Sequence, residues 1–126
     1  MKLARLIDDR FHTALAKLSD ELLPLRTTFK LKGIAKVVRE EFTKYEEVRK
    51  SALQKYGVKN EDGSLKTDDK NNVQFDEDGI KAFITEINEL AALEVEVPTL
   101  KVSELGDKVR MTVDDLLQLE DVIVED

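Results

Sequence analysis

Leu31, Ile34, Val38, Phe42, Tyr45, Val48, Ala52 and Tyr56 recur at steps of 3, 4, 4, 3, 3, 4 and 4 residues. Only an α-helix, with about 3.6 residues per turn, brings all eight to one side. The spacing predicts a continuous helix from about residue 26 to 56. At 1.5 Å per residue it would be about 45 Å long, more than a small compact domain needs. Lys36/Glu40, Glu40/Lys44 and Glu46/Lys50 place opposite charges four residues apart on its other sides, a modest support for an exposed helix. Pro24 lacks an amide proton and suits the entry to this helix, and Gly57 stands where a left-handed cap would end it.

The flanking segments keep or change that period. Phe11, Ala14, Leu15 and Leu18 share one face of a shorter helix over about 8–20, with Asp8 or Asp9 positioned to accept its free first-turn amides. Ile80, Phe83, Ile84, Ile87, Leu90 and Ala91 form the stripe of a helix over about 76–93, whose leading acids suit the positive end of the helix dipole. Two stripes joined by a short connection predict an antiparallel helical hairpin. Between them, at 58–75, the helical period vanishes. Asn60-Glu61-Asp62-Gly63 and Asp68-Asp69-Lys70-Asn71-Asn72 are turn chemistry, so a small β-hairpin with 68–72 at its tip is expected. Alternation in Glu94-Val95-Glu96-Val97, broken by Pro98 and resumed at Leu100, predicts an edge strand over 94–102. Thr112, three residues before Asp115, signals a short helix over about 112–120, and Val122-Ile123-Val124 could add a last strand. The expected fold is mainly α with a minor β part.

A chain of 126 residues suits one domain, and 41% hydrophobic residues argue against wholesale disorder. The net charge of −7 conceals a division. Residues 1–66 hold 15 Lys+Arg against 10 Asp+Glu, a net of +5, while residues 67–126 hold 5 against 17, a net of −12. The halves either neutralise each other on folding, which is the favoured reading, or leave a two-faced surface. Asp8, Asp9 and Arg10 cut short the apolar start at Met1–Ile7, so no secretory leader or membrane span is expected, and the chain reads as a cytoplasmic protein.

Reactive chemistry is sparse. With no cysteine there are no disulfides, thiolate metal sites or thiol nucleophiles. The five glycines are scattered singly, so there is no phosphate loop or dinucleotide fingerprint. His12 is the only histidine and reads as a surface residue. The acids of the 58–79 region fit no EF-hand register, since Gln74 would occupy position 6 from Asp69 and Ile80 position 5 from Asp76. At most a weak cation is expected at 58–75, and no cofactor. Arg26 to Lys59 hold ten bases and four acids, but their aromatic residues lie on the apolar stripe, so nucleic-acid binding is an alternative rather than the main reading.

Leu23-Pro24-Leu25-Arg26-Thr27-Thr28-Phe29-Lys30-Leu31, Glu41-Phe42, Tyr45-Glu46-Glu47-Val48-Arg49, Lys55-Tyr56-Gly57, Glu61-Asp62-Gly63, Phe75, Glu89-Leu90, Glu94-Val95, Val97-Pro98 and the Leu116/Leu119 helix together resemble a family of small tailed-bacteriophage and prophage proteins of unknown activity. The resemblance covers most of the chain after Phe11, rests on packing, capping and turn residues, and carries no catalytic residue. It implies a phage setting: host cytoplasm, with incorporation in the virion an option. The expectation is a non-catalytic virion accessory or assembly component, an adaptor or chaperone, forming a homo-oligomer or docking on other phage proteins. Arg26, Lys30, Lys36, Arg39, Arg49 and Lys55 are its candidate contact residues. A small acidic inhibitor of a host enzyme or defence system is the alternative.

Overall fold

A computed structural model describes all 126 residues. The chain is mainly helical, in the order α1 (Leu3–Leu6), α2 (Asp9–Ser19), α3 (Leu25–Tyr56), α4 (Glu77–Ala91), β1 (Leu100–Lys101), a 3-10 turn (Val102–Leu105), α5 (Val113–Gln118) and β2 (Ile123–Val124). Its contacts gather into two compact units: Met1–Phe42 with Glu94–Asp126, and Thr43–Leu93. The long helix α3 contributes to both.

The first unit holds nearly all of the fully buried apolar side chains. Phe11, Ala14, Leu15 and Leu18 of α2 are buried as their spacing requires, and so are Leu31, Ile34 and Val38 of α3. Leu3 and Leu6 of α1, Leu100, Leu105, Leu119, Val122 and Ile123 complete this core. Asp8 caps α2 by accepting the Arg10 amide at 2.8 Å. At α5 the capping box forms as the Thr112/Asp115 spacing predicts, with the Asp115 amide donating to Thr112 Oγ1 at 3.1 Å.

The strand expected over 94–102 shrinks to fragments. Glu94 bridges Lys2 in antiparallel fashion, and the Val95 amide donates to the Met1 carbonyl at 2.8 Å. Residues 95–99 then run without a ladder past Pro98, which lacks the donor a ladder needs. Leu100–Lys101 pair in parallel with Ile123–Val124, so the final strand does form. Val102 is already in the 3-10 turn, where a second box operates: the Glu104 carboxylate accepts the Lys101 amide at 3.1 Å. Helix α1 went unforeseen because four residues are too few for a periodic signal.

The second unit is the antiparallel hairpin formed by the end of α3 and α4. Asp76 caps α4 through the Gly79 amide at 2.6 Å, and Tyr56 Oη donates to Glu86 Oε1 at 2.5 Å, tying the last turn of α3 to α4. The connection is a three-segment meander rather than a single hairpin: Gly57 bridges Phe75, Lys59 bridges Leu65, and Thr67 bridges Val73. Two turns make it, one closed by Gly63 at φ 86° and the other by Asn71 at φ 64°. The stripes are less covered here than their regularity suggests. Ala52 is the one fully buried apolar side chain of this unit, while Val48 and Ile84 are each 49% exposed. Two helices and a thin meander cover a stripe from few directions.

Gly57 ends α3 for a reason other than the left-handed cap expected of it, since only Gly63 and Gly106 among the glycines have positive φ. A Cβ on Gly57 would stand 2.7 Å from the Leu53 carbonyl oxygen, 2.8 Å from Leu65 Cδ2 and 2.9 Å from Val73 Cγ1. The residue is needed for close approach of the meander to the helix end. Gly57→Ala should therefore destabilise the hairpin unit by roughly 1–3 kcal/mol, the usual cost of overpacking. Urea unfolding followed at Tyr45 and Tyr56 checks this, and an unchanged midpoint would refute it.

Candidate interaction surfaces

Of the six basic residues proposed as a contact surface, Arg26, Lys30, Lys36 and Arg39 belong to the first unit and Arg49 and Lys55 to the second. On the first half of α3, Arg26 and Lys30 lie one turn apart, and at about 100° per residue Lys36 stands about 80° and Arg39 about 140° round the helix from Arg26. Lys30 is committed: its Nζ lies 2.5 Å from Glu104 Oε2, next to the contact in which Thr27 Oγ1 donates to the Glu104 carbonyl. That contact anchors the buried Thr27 and fixes the rotation of α3 in the first unit. In the second unit, Arg49 lies 3.8 Å from Glu46, which takes this partner in place of Lys50. Lys55 sits 3.5 Å from Glu86 and 5.0 Å from the centre of the Tyr56 ring. Arg26, Lys36 and Arg39 are exposed and form no salt bridge.

What the sequence reading passed over are the apolar residues that the folded chain leaves outside. Leu25 is 87% exposed, Phe29 76% and Leu22 74%. At about 100° per residue, Leu25 and Phe29 stand roughly 170° from the mean direction of Leu31, Ile34 and Val38. The first half of α3 thus carries two apolar strips on opposite sides, and one core can bury only one of them. Around the outer strip stand Arg26, Lys32 and Lys36, and Gly33 follows one turn after Phe29 with open space where a Cβ would be. The first turn of α3 contains no acid to offset its positive dipole end. A second outward strip occurs on α5, where Val113 is 76% and Leu117 54% exposed, opposite the buried Asp115 and Leu119, with Leu116, 41% exposed, to one side. Asp114 and Glu120 flank it. Residue spacing alone separates these strips; which of them is covered depends on the other elements.

His12 lies near the surface, half-buried rather than fully exposed. Its ring stands edge-on to Phe11 at 5.7 Å and to Phe42 at 5.2 Å, and its Nε2 is buried without a hydrogen-bond partner. A groove of about 380 Å³ between α2 and α3 is lined by His12, Asp9, Leu15, Val38, Arg39 and Phe42 among others. Its walls are mostly apolar. The Ser19 hydroxyl at its edge donates to the Leu15 carbonyl at 2.9 Å, so no serine is poised against the imidazole. No three His, Asp or Glu side chains converge where a metal ion could be held. The acids of the 58–75 meander serve its turns: Asp68 accepts the Lys70 and Asn72 amides at 2.8 and 3.0 Å, and Asp62 the Ser64 amide at 3.0 Å. Those bonds hold both carboxyls below their ordinary pKa, for Asp62 chiefly through the Ser64 hydroxyl and for Asp68 through the Asn72 amide.

A scan against protein-family models and searches of curated proteins and of solved structures find no match to this chain. No helix is long and apolar enough to cross a membrane.

The seat of α5 is electrostatic as well as apolar. Lys17 Nζ of α2 lies 3.2 Å from Asp115 Oδ1, and this bond, aided by Thr112, holds the Asp115 carboxyl below its ordinary value of 3.8 against the opposing effect of burial. A depressed folded-state pKa stabilises the fold above the unfolded value and loses that contribution as pH falls through the folded value. The Tm difference between the wild-type chain and Lys17→Met should be fully present at pH 6 and should shrink as pH drops below about 4. A difference that stays constant between pH 6 and pH 3 would show that Lys17 acts through packing alone.

Proposed function

We propose that this chain is a non-catalytic interaction protein of phage particle assembly, an adaptor or accessory component that docks on other proteins through the outer strip of the first half of α3. The observation that carries the reading is the exposure of Leu25 and Phe29, at 87% and 76%, on a helix whose opposite side is packed, with Leu22, 74% exposed, just before it. Large apolar side chains held in register and rimmed by unpaired bases are the arrangement of a helix surface that receives a partner. The resemblance of residues 23–31 and the segments that follow to small phage proteins supports the phage setting. The engaged serine at the groove and the hydrogen-bonded acids of the meander offer no competing site of chemistry. A host-enzyme inhibitor would use the same lack of reactive groups, but it has no surface here that favours it over assembly.

The test is site-specific photocrosslinking in cells producing the phage. A photoreactive residue at position 29 should yield one or a few discrete adducts containing phage chains or a second copy of this chain. The same residue at Glu61, on the exposed turn of the meander, should yield none. Absence of any adduct at position 29, or adducts only with a host enzyme, would overturn the assembly role.

A further inference from the structure

We infer that the occupant of the outer α3 strip is the outward strip of α5 on a second copy of this chain, so that copies join head to tail. The inference rests on the reading of the α3 strip as a docking face and names its partner. Within the first unit the exposed large apolar residues on helices are Leu25 and Phe29 of α3, with Leu22 in the segment just before it, and Val113, Leu116 and Leu117 of α5, while Val102, 50% exposed, stands apart in the 3-10 turn. Each is a short ridge of three side chains, and the two have opposite surroundings. Leu25–Phe42 carry five bases and two acids, a net of +3, whereas Asp107–Asp126 carry two bases and seven acids, a net of −5. Asp114, beside Val113, forms no salt bridge, although Arg10 lies near enough to feel its charge, and Glu120 shares Arg5 with Asp121. Arg26, Lys32 and Lys36 are exposed and form no salt bridge.

Sign decides the geometry. Setting the α3 strip against itself about a two-fold axis would bring Arg26, Lys32 and Lys36 against their own copies, and pairing α5 with α5 would oppose Asp114 and Glu120 in the same way. Like charges facing each other across an interface are penalised, and opposite ones fix register and speed encounter. Only the crossed pairing of α3 with α5 matches an apolar ridge to an apolar ridge and a basic rim to an acidic one. Such a contact is heterologous: it uses different surfaces on the two copies, so each bound copy still offers one free strip of each kind. Addition then continues into a ring if the rotation closes and into an open filament if it does not. Three side chains a side make a small interface, so association in the micromolar range and sensitivity to salt are expected.

Sedimentation of two variants, alone and mixed, tests this. One blocks the α3 strip (Leu25→Glu with Phe29→Glu) and the other blocks the α5 strip (Val113→Lys with Leu117→Lys). All four positions are more than half exposed, and circular dichroism confirms that each variant stays folded. The wild-type average mass should climb past two chains as concentration rises from about 1 μM to 1 mM, and should fall back at about 0.5 M salt. Each variant alone should remain a single chain. Their equimolar mixture should form a two-chain species and stop there, because it contains one intact α3 strip and one intact α5 strip. Self-association by the α5 variant alone would mean that α3 pairs with α3, and an unassociated mixture would mean that the strips do not meet; either overturns the inference. A wild-type chain that stays single throughout also overturns it, yet leaves the docking role standing if position 29 still crosslinks to another phage protein.

Discussion

The structure depends on a conflict within the first half of α3. Leu31, Ile34 and Val38 face one way, Leu25 and Phe29 the other, and the core of the first unit takes only the first set. Burying an aliphatic side chain of this size is worth about 1.5–3 kcal/mol, so three of them outweigh the two left outside. Thr27, on the same side as the buried set, is pinned by the Glu104 carbonyl, and Lys30 by the Glu104 carboxylate. One residue of a 3-10 turn therefore sets the rotation of α3 about its axis. Once that rotation is set, the exposure of Leu25 and Phe29 follows without further assumption.

The same logic governs α5, a helix of six residues that could not persist in isolation. It is held by its capping box, by Lys17 on Asp115, and by Leu119 in the core. With Asp115 and Leu119 facing in, Val113 and Leu117 must face out. The two halves of the chain thus carry opposite charge, and one unit bears an apolar ridge from each. The halves neutralise one another locally, through Lys30 with Glu104, Lys17 with Asp115, Arg5 with Glu120 and Asp121, and Lys55 with Glu86.

Much of the helical framework was legible from residue spacing. The steps of three and four along α2, α3 and α4, the acids that open α2 and α4, and the Thr112/Asp115 box all depend on local geometry, and local geometry is what a sequence states directly. Features governed by distant neighbours were not legible. The strand at 94–102 reduces to two paired residues because its partner, Ile123–Val124, offers only two. Gly57 is required by the approach of Leu65 and Val73, not by its own dihedral angles. Arg26, Lys30, Lys36, Arg39, Arg49 and Lys55 were grouped by their charge in the sequence, but partner acids and helical rotation disperse them. Leu25 and Phe29 were visible only as members of a family-like segment, because their significance lies in what fails to cover them.

The absence of cysteine from the chain allows a direct measurement of that covering, since a single introduced thiol has no competitor. Cysteine placed at position 29 in dilute, singly dispersed protein should react with a maleimide at close to the rate of an unfolded peptide. Cysteine at position 34, on the buried side of the same helix, should react at least about a hundredfold more slowly, as access there requires local unfolding. Comparable slow rates at both positions would mean that the chain covers its own outer strip, and the account of α3 as a helix with one packed and one offered side would be wrong.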